Sequence, residues 1–293
     1  MNQPQPWTIG RLLQWTTEYL QQQGSSSPRL DAEVLLATCL QLSRIELYTR
    51  YTEDPGDEAR SAYRELVRRR AAGEPVAYLV GQREFYSLPF EVTTDVLIPR
   101  PETEFVVLAL LDAIQATPRN DHPWQIADVG TGSGVLAVCA AKHVAEARVT
   151  AIDISPAALA VARRNAQTHQ VADRIDWIEG DLFDKVPETA RFHFVISNPP
   201  YVSEPELSQT PPDVQRYEPR QALVAGPQGD EVIARLIPQA GDRLLAGGAL
   251  ITEISPMLEQ RVTSHLQQDG RFADPQIVKD LGGLSRVVVA RRQ

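Results

Sequence analysis

The sequence predicts an α/β protein: a mostly parallel sheet covered by helices on both faces, finished by an antiparallel C-terminal edge and preceded by a small helical domain. Three observations carry this. From residue 103 onward, short apolar runs alternate with amphipathic segments, beginning "WQIADV", "LAVCAAKHV", "RVTAIDI", "AALAVARRNAQTH". The closing stretch "PQIVKDLGGLSRVVVARR" instead sets two strand-like runs on either side of a Gly-Gly pair, the pattern of a hairpin. Residues 8–73 show helical spacing throughout, with no alternating strand pattern.

Taken in order, "TIGRLLQWTTEYLQQQG" is a helix that stops at Gly24. "SPRLDAEVLLATCL" opens with Ser27 as an expected N-cap and Pro28 at the first helical position, where its missing N–H is harmless. "DEARSAYRELVRRRAAG" starts acidic and ends basic, the sense that suits the helix dipole. Its Arg68 to Arg70 run reads as a solvated helix end rather than a nucleic-acid contact. These helices define an expected domain over residues 1–75. Residues 76–102, rich in proline, aromatic and β-branched types, read as a hairpin or extended connector. A third segment, 103–293, starts with the helix "TEFVVLALLDAI" and continues through "IDWIEGD", "FHFVISN", "GDEVIARLIPQAGDRLL", "GALITEI" and "MLEQRVTSHLQQ".

Bulk composition bounds the function. At 293 residues, with 43% hydrophobic and 23% charged content, the chain can build one large or two modest cores. A formal charge of -9 argues against a protein whose main task is neutralising phosphate backbones, so no direct nucleic-acid binding is expected. Cys39 and Cys139 sit apart in apolar helical surroundings, as buried thiols of a reducing compartment do. The five histidines are scattered, and no spacing suggests a metal site. The N-terminus lacks a basic region followed by an apolar one, and "FVVLALL" is far shorter than the ~20 residues a membrane span needs. The expectation is a soluble, cytoplasmic protein without a membrane partner.

The first strand of the sheet runs into "ADVGTGSGVLAV", where Gly130, Thr131, Gly132, Ser133 and Gly134 form a loop that leads straight into a helix. Such a loop lets backbone approach a ligand closely. "GSGVLA" also fits a dinucleotide pattern, which leaves a nicotinamide or flavin enzyme open at this point. Asp128 precedes the loop and Asp153 ends the second strand, where a carboxylate can accept two hydrogen bonds from a ribose diol. Asp153 therefore marks an adenosine-type ligand without naming it. After the third strand comes Asp181 followed by Leu182, an acid for an adenine amine and an apolar face for the ring.

The fourth strand ends in Asn198-Pro199-Pro200-Tyr201, at the edge of an open α/β sheet where active sites lie. A proline turn alone explains the prolines but neither flanking residue. Methyl transfer to a planar nitrogen explains all four. The lone pair of an amide or aromatic amine is delocalised, so a site must hold both N–H bonds with acceptors and stabilise charge developing on nitrogen. The Asn198 side-chain oxygen and the Pro199 carbonyl are two such acceptors. The prolines keep the loop out of strand pairing, and Tyr201 can lie over a flat group.

Beyond these motifs the chain resembles the release-factor glutamine methyltransferases (the PrmC/HemK family). The resemblance spans nearly the whole length: "PRLDAEVLLATCL", "GEPVAYLVGQREFYSLPFEVTTDVLIPRPETE", "ADVGTGSG", "AIDIS", "VISNPPYV", "YEPRQALVAGPQG" and "KDLGGLSRVVVARR". It implies a Rossmann-like class I methyltransferase sheet and S-adenosylmethionine as cofactor, with no metal. Gly130 to Gly134, Asp153, Asp181, Leu182 and Asn198 would contact that cofactor, and Asn198 to Tyr201 would bind the substrate. Arg100 and Glu102 of "IPRPE" would lie near the cofactor mouth, or else join a salt-bridge network. The implied substrate is the glutamine of the Gly-Gly-Gln loop in class 1 peptide-chain release factors, methylated on its amide nitrogen. One departure is "TEISPMLEQ", where Ser255 and Pro256 stand in place of a usual glycine. Three competitors remain: an enzyme acting on a ribosomal-protein glutamine, a methyltransferase for DNA or RNA amines, and a non-catalytic cofactor-binding adaptor.

Overall fold

The computed structural model describes residues 6–118 and 122–293; the first five residues of the expected helical domain lie outside this range. Two compact units are present, one holding the chain up to Gly81 together with Pro212–Tyr217, the other Gln82–Pro211 with Glu218–Gln293.

The helical unit contains α1 (Ile9–Gln22), α2 (Pro28–Leu40), α3 (Arg44–Thr49), α4 (Asp57–Ala71) and α5 (Val76–Val80). Leu13, Leu20, Leu35, Leu36, Leu47 and Tyr63 form its core. Val76, Leu79 and Val80 pack on the same core, so this unit extends past residue 75. Five apolar-rich residues are too few for periodicity to separate a helix from a connector. Ser27 occupies the α2 N-cap but its hydroxyl caps nothing; Ser25 Oγ instead donates to Asp31 Oδ2 at 2.7 Å.

The same unit buries two acids from "LDAE". Glu33 Oε1 accepts from Arg29 Nε at 2.7 Å and Glu33 Oε2 from Arg44 Nη2 at 2.7 Å, with the Tyr48 hydroxyl as a further donor. Asp31 Oδ2 accepts from Arg70 Nε at 2.7 Å in a pair whose side chains are only 13% and 8% exposed. Arg70 is therefore a structural cation and not part of a solvated helix end. Removing one member of a buried pair leaves the other charge desolvated. Arg70→Ala is expected to destabilise the helical unit by about 3 kcal/mol, read by denaturant unfolding followed through Trp7 and Trp15.

The second unit opens with a hairpin, β1 (Gln82–Phe85) and β2 (Leu88–Glu91), followed by α6 (Glu104–Ala116). Tyr86 and Ser87 at the hairpin turn both have positive φ, 51° and 59°, the twist that two-residue hairpin loops require. Phe85 and Phe90 drop into the sheet core. Then come β3 (Trp124–Val129), α7 (Val135–His143), β4 (Ala147–Asp153), α8 (Pro156–Thr168), β5 (Ile175–Glu179) and β6 (Phe192–Ser197). The segment after β6 holds β7 (Val202–Ser203), α9 (Glu204–Leu207), α10 (Pro212–Tyr217), α11 (Arg220–Leu223) and β8 (Val224–Gly226). Of these, α10 belongs to the helical unit, where Arg216 Nη1 donates to the Ala72 carbonyl at 3.1 Å. The chain ends with α12 (Glu231–Arg243), β9 (Leu244–Glu253), α13 (Glu259–Asp269), β10 (Gln276–Lys279) and β11 (Ser285–Arg291).

The main sheet has seven strands in the order β10-β11-β9-β6-β3-β4-β5. Strands β9, β6, β3, β4 and β5 are mutually parallel, and β11 runs antiparallel to both β9 and β10. Its strands are buried on both faces. Ile126, Phe194 and Ile196 join α6 and α7 residues on one side, while Ala127, Val129 and Val195 join α12 and α13 residues on the other. Period-two alternation between two apolar layers is what a parallel sheet in an α/β fold demands. The chain runs outward from β3 to β4 and β5, then returns to place β6 on the other side of β3. That reversal opens a crevice at the carboxyl ends of β3 and β6.

Asn165 of α8, 1% exposed, ties the hairpin to this crevice. Its Oδ1 accepts from Glu91 N at 2.7 Å, and its Nδ2 donates to the Glu91 carbonyl at 3.0 Å and the Ser133 carbonyl at 2.8 Å. All three polar contacts are satisfied inside the protein, so the amide fixes the connector against the glycine loop.

Candidate active site

A cleft of about 320 Å³ opens at the switch point, lined among others by Gly130 to Ser133, Asp153, Asp181, Leu182 and Asn198. The β3 to α7 loop builds its floor. Gly132 has φ +55° with nothing near the position of a Cβ, leaving its backbone open to a ligand. Gly134, with φ +83°, faces α8, where a Cβ would lie 2.9 Å from Ala162 Cβ. Loop and helix touch too closely for any side chain there.

Asp153 at the end of β4 shapes the loop further. Its Oδ2 accepts from Gly132 N at 2.8 Å and its Oδ1 from Ser155 N at 2.9 Å. Each carboxylate oxygen keeps a second lone pair, which is room for the two hydroxyls of a diol. Burial raises the Asp153 pKa, and the N–H groups of Ser155, Gly132 and Ile154 pull it back.

Asp128 is wholly buried beneath the loop. Its Oδ2 accepts from Thr131 Oγ1 at 2.6 Å and Ala137 N at 3.0 Å, holding the loop to the first turn of α7. Among the described residues Oδ1 has no partner, and burial pushes the carboxyl up to about 7. A raised folded-state pKa contributes stability that is full below the unfolded value near 4 and is lost as pH rises through about 7. Asp128→Asn should therefore gain melting temperature relative to wild type between about pH 5 and about pH 8; thermal melts across that range check the sign.

Asp181 and Leu182 follow β5. Leu182 is buried with φ 56°, and Asp181, which lines the cleft, accepts at Oδ2 from Arg235 Nη2 at 2.6 Å. The opposite wall comes from the connector, through Val96, Leu97, Pro99 and Thr103. Ile154, 51% exposed, adds an apolar surface beside Asp153.

At the tip of β6, Ser197 Oγ donates to the Val129 carbonyl at 2.7 Å, joining the ends of the two central strands. Asn198 follows, and its Nδ2 donates to Thr103 Oγ1 at 3.0 Å. Among the described residues its Oδ1 has no protein partner. Pro200 lines the cleft beside it, with Pro199 and Tyr201 on either side in the chain. The Tyr201 hydroxyl donates to Glu253 Oε1 at 3.1 Å, so the ring is held by the last residue of β9 rather than lying free over the cleft.

Arg100 and Glu102 do not line the cleft. Arg100 Nη2 pairs with buried Glu218 at 2.6 Å, and Glu102 lies 3.9 Å from Arg286. Their charges are taken up by these partners. Ser255 and Pro256 lead into a short 3-10 turn, Pro256–Leu258, that leaves Met257 78% exposed. The two cysteines are free, and burial pushes Cys39 up to about 11 and Cys139 up to about 12. Neither thiol is a nucleophile at neutral pH. Among the described residues no helix is long and apolar enough to cross a membrane, and no group of three or more His, Cys, Asp or Glu residues is arranged to hold a metal ion.

Sequence reasoning missed Thr103, Glu253, Ile154 and Arg235. The first two carry a readable signal, since "RPETE" and "ITEI" each put a polar group at the carboxyl edge of the fold.

A glycine loop at a switch point, an acid on the next strand and an Asn-Pro-Pro-Tyr tip define an S-adenosylmethionine-dependent methyltransferase. Solved structures agree on the fold. A methyltransferase from Pyrococcus furiosus superposes with TM-score 0.50 at 16% identity, covering 79% of this chain and 98% of that one. The 16S rRNA N2 methyltransferase RsmC of T. Thermophilus, solved with AdoMet and guanosine, gives 0.53 at 17% identity over 72% and 50%. A family model for the PrmC N-terminal domain matches residues 11–81, and one for the methyltransferase small domain matches 107–211. The release factor glutamine methyltransferase of Rhodopirellula baltica is 45% identical over 97% of this chain and 96% of its own. That of Geobacter sulfurreducens is 38% identical over 98% of each. The chain belongs to the release factor glutamine methyltransferase family.

Proposed function

We propose that this chain transfers a methyl group from S-adenosylmethionine to the side-chain amide nitrogen of the glutamine in the Gly-Gly-Gln loop of class 1 peptide-chain release factors. The observation that carries the reading is the orientation of Asn198. Its amino group is spent on Thr103 Oγ1 at 3.0 Å, which leaves its oxygen as the acceptor at the mouth of the cleft.

The cleft fits the cofactor. Its volume of about 320 Å³ lies at the lower end of the range for small-molecule sites. Asp153 would take the ribose hydroxyls, Leu182 and Ile154 would flank the adenine, Asp181 Oδ1 would accept from its amine, and Gly130 to Gly134 would face the amino-acid tail. When bound, the cofactor supplies an electrophilic methyl on a charged sulfur, so the leaving group is a neutral thioether.

The chain's own residues then have one task, to present nitrogen. Asn198 Oδ1 accepts one N–H of the substrate amide and the Pro199 carbonyl accepts the other, which rotates the nitrogen lone pair toward the methyl carbon. Positive charge would grow on the nitrogen as it takes the methyl, and these two oxygens would stabilise it until a proton leaves to solvent. Pro199 and Pro200 have no N–H to compete for these acceptors and keep the loop stiff. The apolar walls at Val96, Leu97 and Pro99 limit water around the reacting atoms.

The test is incubation with methyl-labelled cofactor and, separately, a release factor, the same factor with its loop glutamine replaced, ribosomal protein, and DNA or RNA. Label in the first reaction alone supports the reading. Label in ribosomal protein or nucleic acid instead, or in none despite cofactor binding, contradicts it.

A further inference from the structure

The Asn-Pro-Pro-Tyr tip is a stiff span anchored at both ends. On the Asn198 side, Ser197 Oγ donates to the Val129 carbonyl at 2.7 Å and Asn198 Nδ2 donates to Thr103 Oγ1 at 3.0 Å. On the far side, the Tyr201 hydroxyl donates to Glu253 Oε1 at 3.1 Å. Between these anchors the rings of Pro199 and Pro200 lock φ, so a displacement of the Tyr201 main chain is passed back to the Pro199 carbonyl with little freedom left to absorb it. Whatever sets the Tyr201 main chain therefore bears on the second acceptor of the site.

That main chain rests on the turn 227–230, which joins β8 to α12. Gly229 has φ +88°, and a Cβ there would lie 2.7 Å from the Tyr201 carbonyl oxygen and 3.3 Å from Ser203 N. Both neighbours are backbone atoms, which cannot swing aside as the end of a side chain can, and close packing leaves no slack for them to retreat. The turn is itself fixed by one acid. Glu231 Oε1 accepts from Gln228 N at 2.7 Å, and Oε2 accepts from Gly229 N at 2.9 Å. Strand β7 pairs with β8, Val202 opposite Val224 and Ser203 opposite Gly226, so the residues just after Tyr201 are tied to the strand that leads into this turn.

We propose that Gly229 is a positioning residue for methyl transfer: lacking a Cβ, it lets the turn 227–230 bear directly on the Tyr201 carbonyl, and through the two prolines that contact places the Pro199 carbonyl where it accepts the second N–H of the substrate amide. Glu231 acts one step behind it by holding the turn. The role rests on the amide-methylation reading above. Positive φ alone does not account for the contact, since Gly247 of β9 has φ +76° with nothing within 4 Å of a Cβ.

Three variants test the role. Gly229→Ala sets a methyl against the Tyr201 carbonyl, and Gly247→Ala brings similar backbone strain to β9 without a contact. Glu231→Gln leaves the space open but turns an amide donor toward one of the two backbone N–H groups. Each is measured for the single-turnover rate at saturating cofactor and release factor, KM for the release factor, cofactor affinity and melting temperature.

Gly229→Ala is expected to slow transfer about 10²-fold, the cost of misplacing a group by about 1 Å. Cofactor affinity and KM should change little, because the acceptor counts most once charge grows on nitrogen. Gly247→Ala should lose melting temperature and keep the wild-type rate. Glu231→Gln should slow transfer by a smaller factor, and it decides the matter if Gly229→Ala does not fold. A folded Gly229→Ala within about threefold of the wild-type rate, an equal loss in Gly247→Ala, a loss confined to cofactor affinity, or Glu231→Gln at the wild-type rate would each overturn the role. Wild-type protein that labels no release factor overturns the functional reading, whereas wild-type labelling with an unslowed Gly229→Ala overturns this role alone.

Discussion

Asn198→Ala is expected to slow methyl transfer to a release factor by about 10³-fold while changing cofactor affinity little. The substitution removes the one side-chain acceptor that the tip of β6 turns toward the cleft, and with it the stabilisation of charge on the substrate nitrogen. It leaves the glycine loop, Asp153 and Leu182 in place, because Asn198 bonds to none of them and only to Thr103. A single-turnover measurement isolates the chemical step from product release. A parallel loss in cofactor affinity would mean that Asn198 serves mainly to bind the cofactor, and a rate near wild type would remove it from the chemistry.

Asp153→Ala should show the opposite split. Its carboxylate holds Gly132 N at 2.8 Å and Ser155 N at 2.9 Å and would accept the ribose hydroxyls. Charge-assisted hydrogen bonds of this kind contribute about 1.5–3 kcal/mol each, so cofactor affinity should fall by at least about 10²-fold by calorimetry. At saturating cofactor, turnover should recover toward wild type, since Asp153 does not touch the transferring nitrogen. If Asp153→Ala bound cofactor as tightly as wild type, the glycine loop would have to hold the cofactor without it.

The sheet was legible because its strands are buried on both sides and read as continuous apolar runs between helical segments. "WQIADV" is β3, "FHFVISN" and "GALITEI" each run one residue past β6 and β9, and the Gly-Gly hairpin lies between β10 and β11. The small helices after β6 were not legible, since none of α9, α10 and α11 exceeds six residues and periodicity needs a longer window. The glycine loop, Asp153, Asp181, Leu182 and Asn198, which line one cleft, could be singled out because each sits at a strand end, which a linear reading can locate. The contacts that set their orientation were hidden. Thr103 meets Asn198 across 95 residues and Tyr201 meets Glu253 across 52, distances over which a single sequence carries no pairing signal. The ion pairs of Arg100 and Glu102 were hidden for the same reason, as their partners Glu218 and Arg286 lie far along the chain.

The proposed chemistry depends on two fixed oxygens at the end of β6 that grip a planar amide nitrogen. The most direct measurement is a crystal structure of this chain with S-adenosylhomocysteine and a release factor whose loop glutamine is intact. The glutamine nitrogen is expected within about 3.2 Å of both Asn198 Oδ1 and the Pro199 carbonyl oxygen, with its open face toward the sulfur. A glutamine held by other groups, or an Asn198 amino group turned to the substrate, would contradict it.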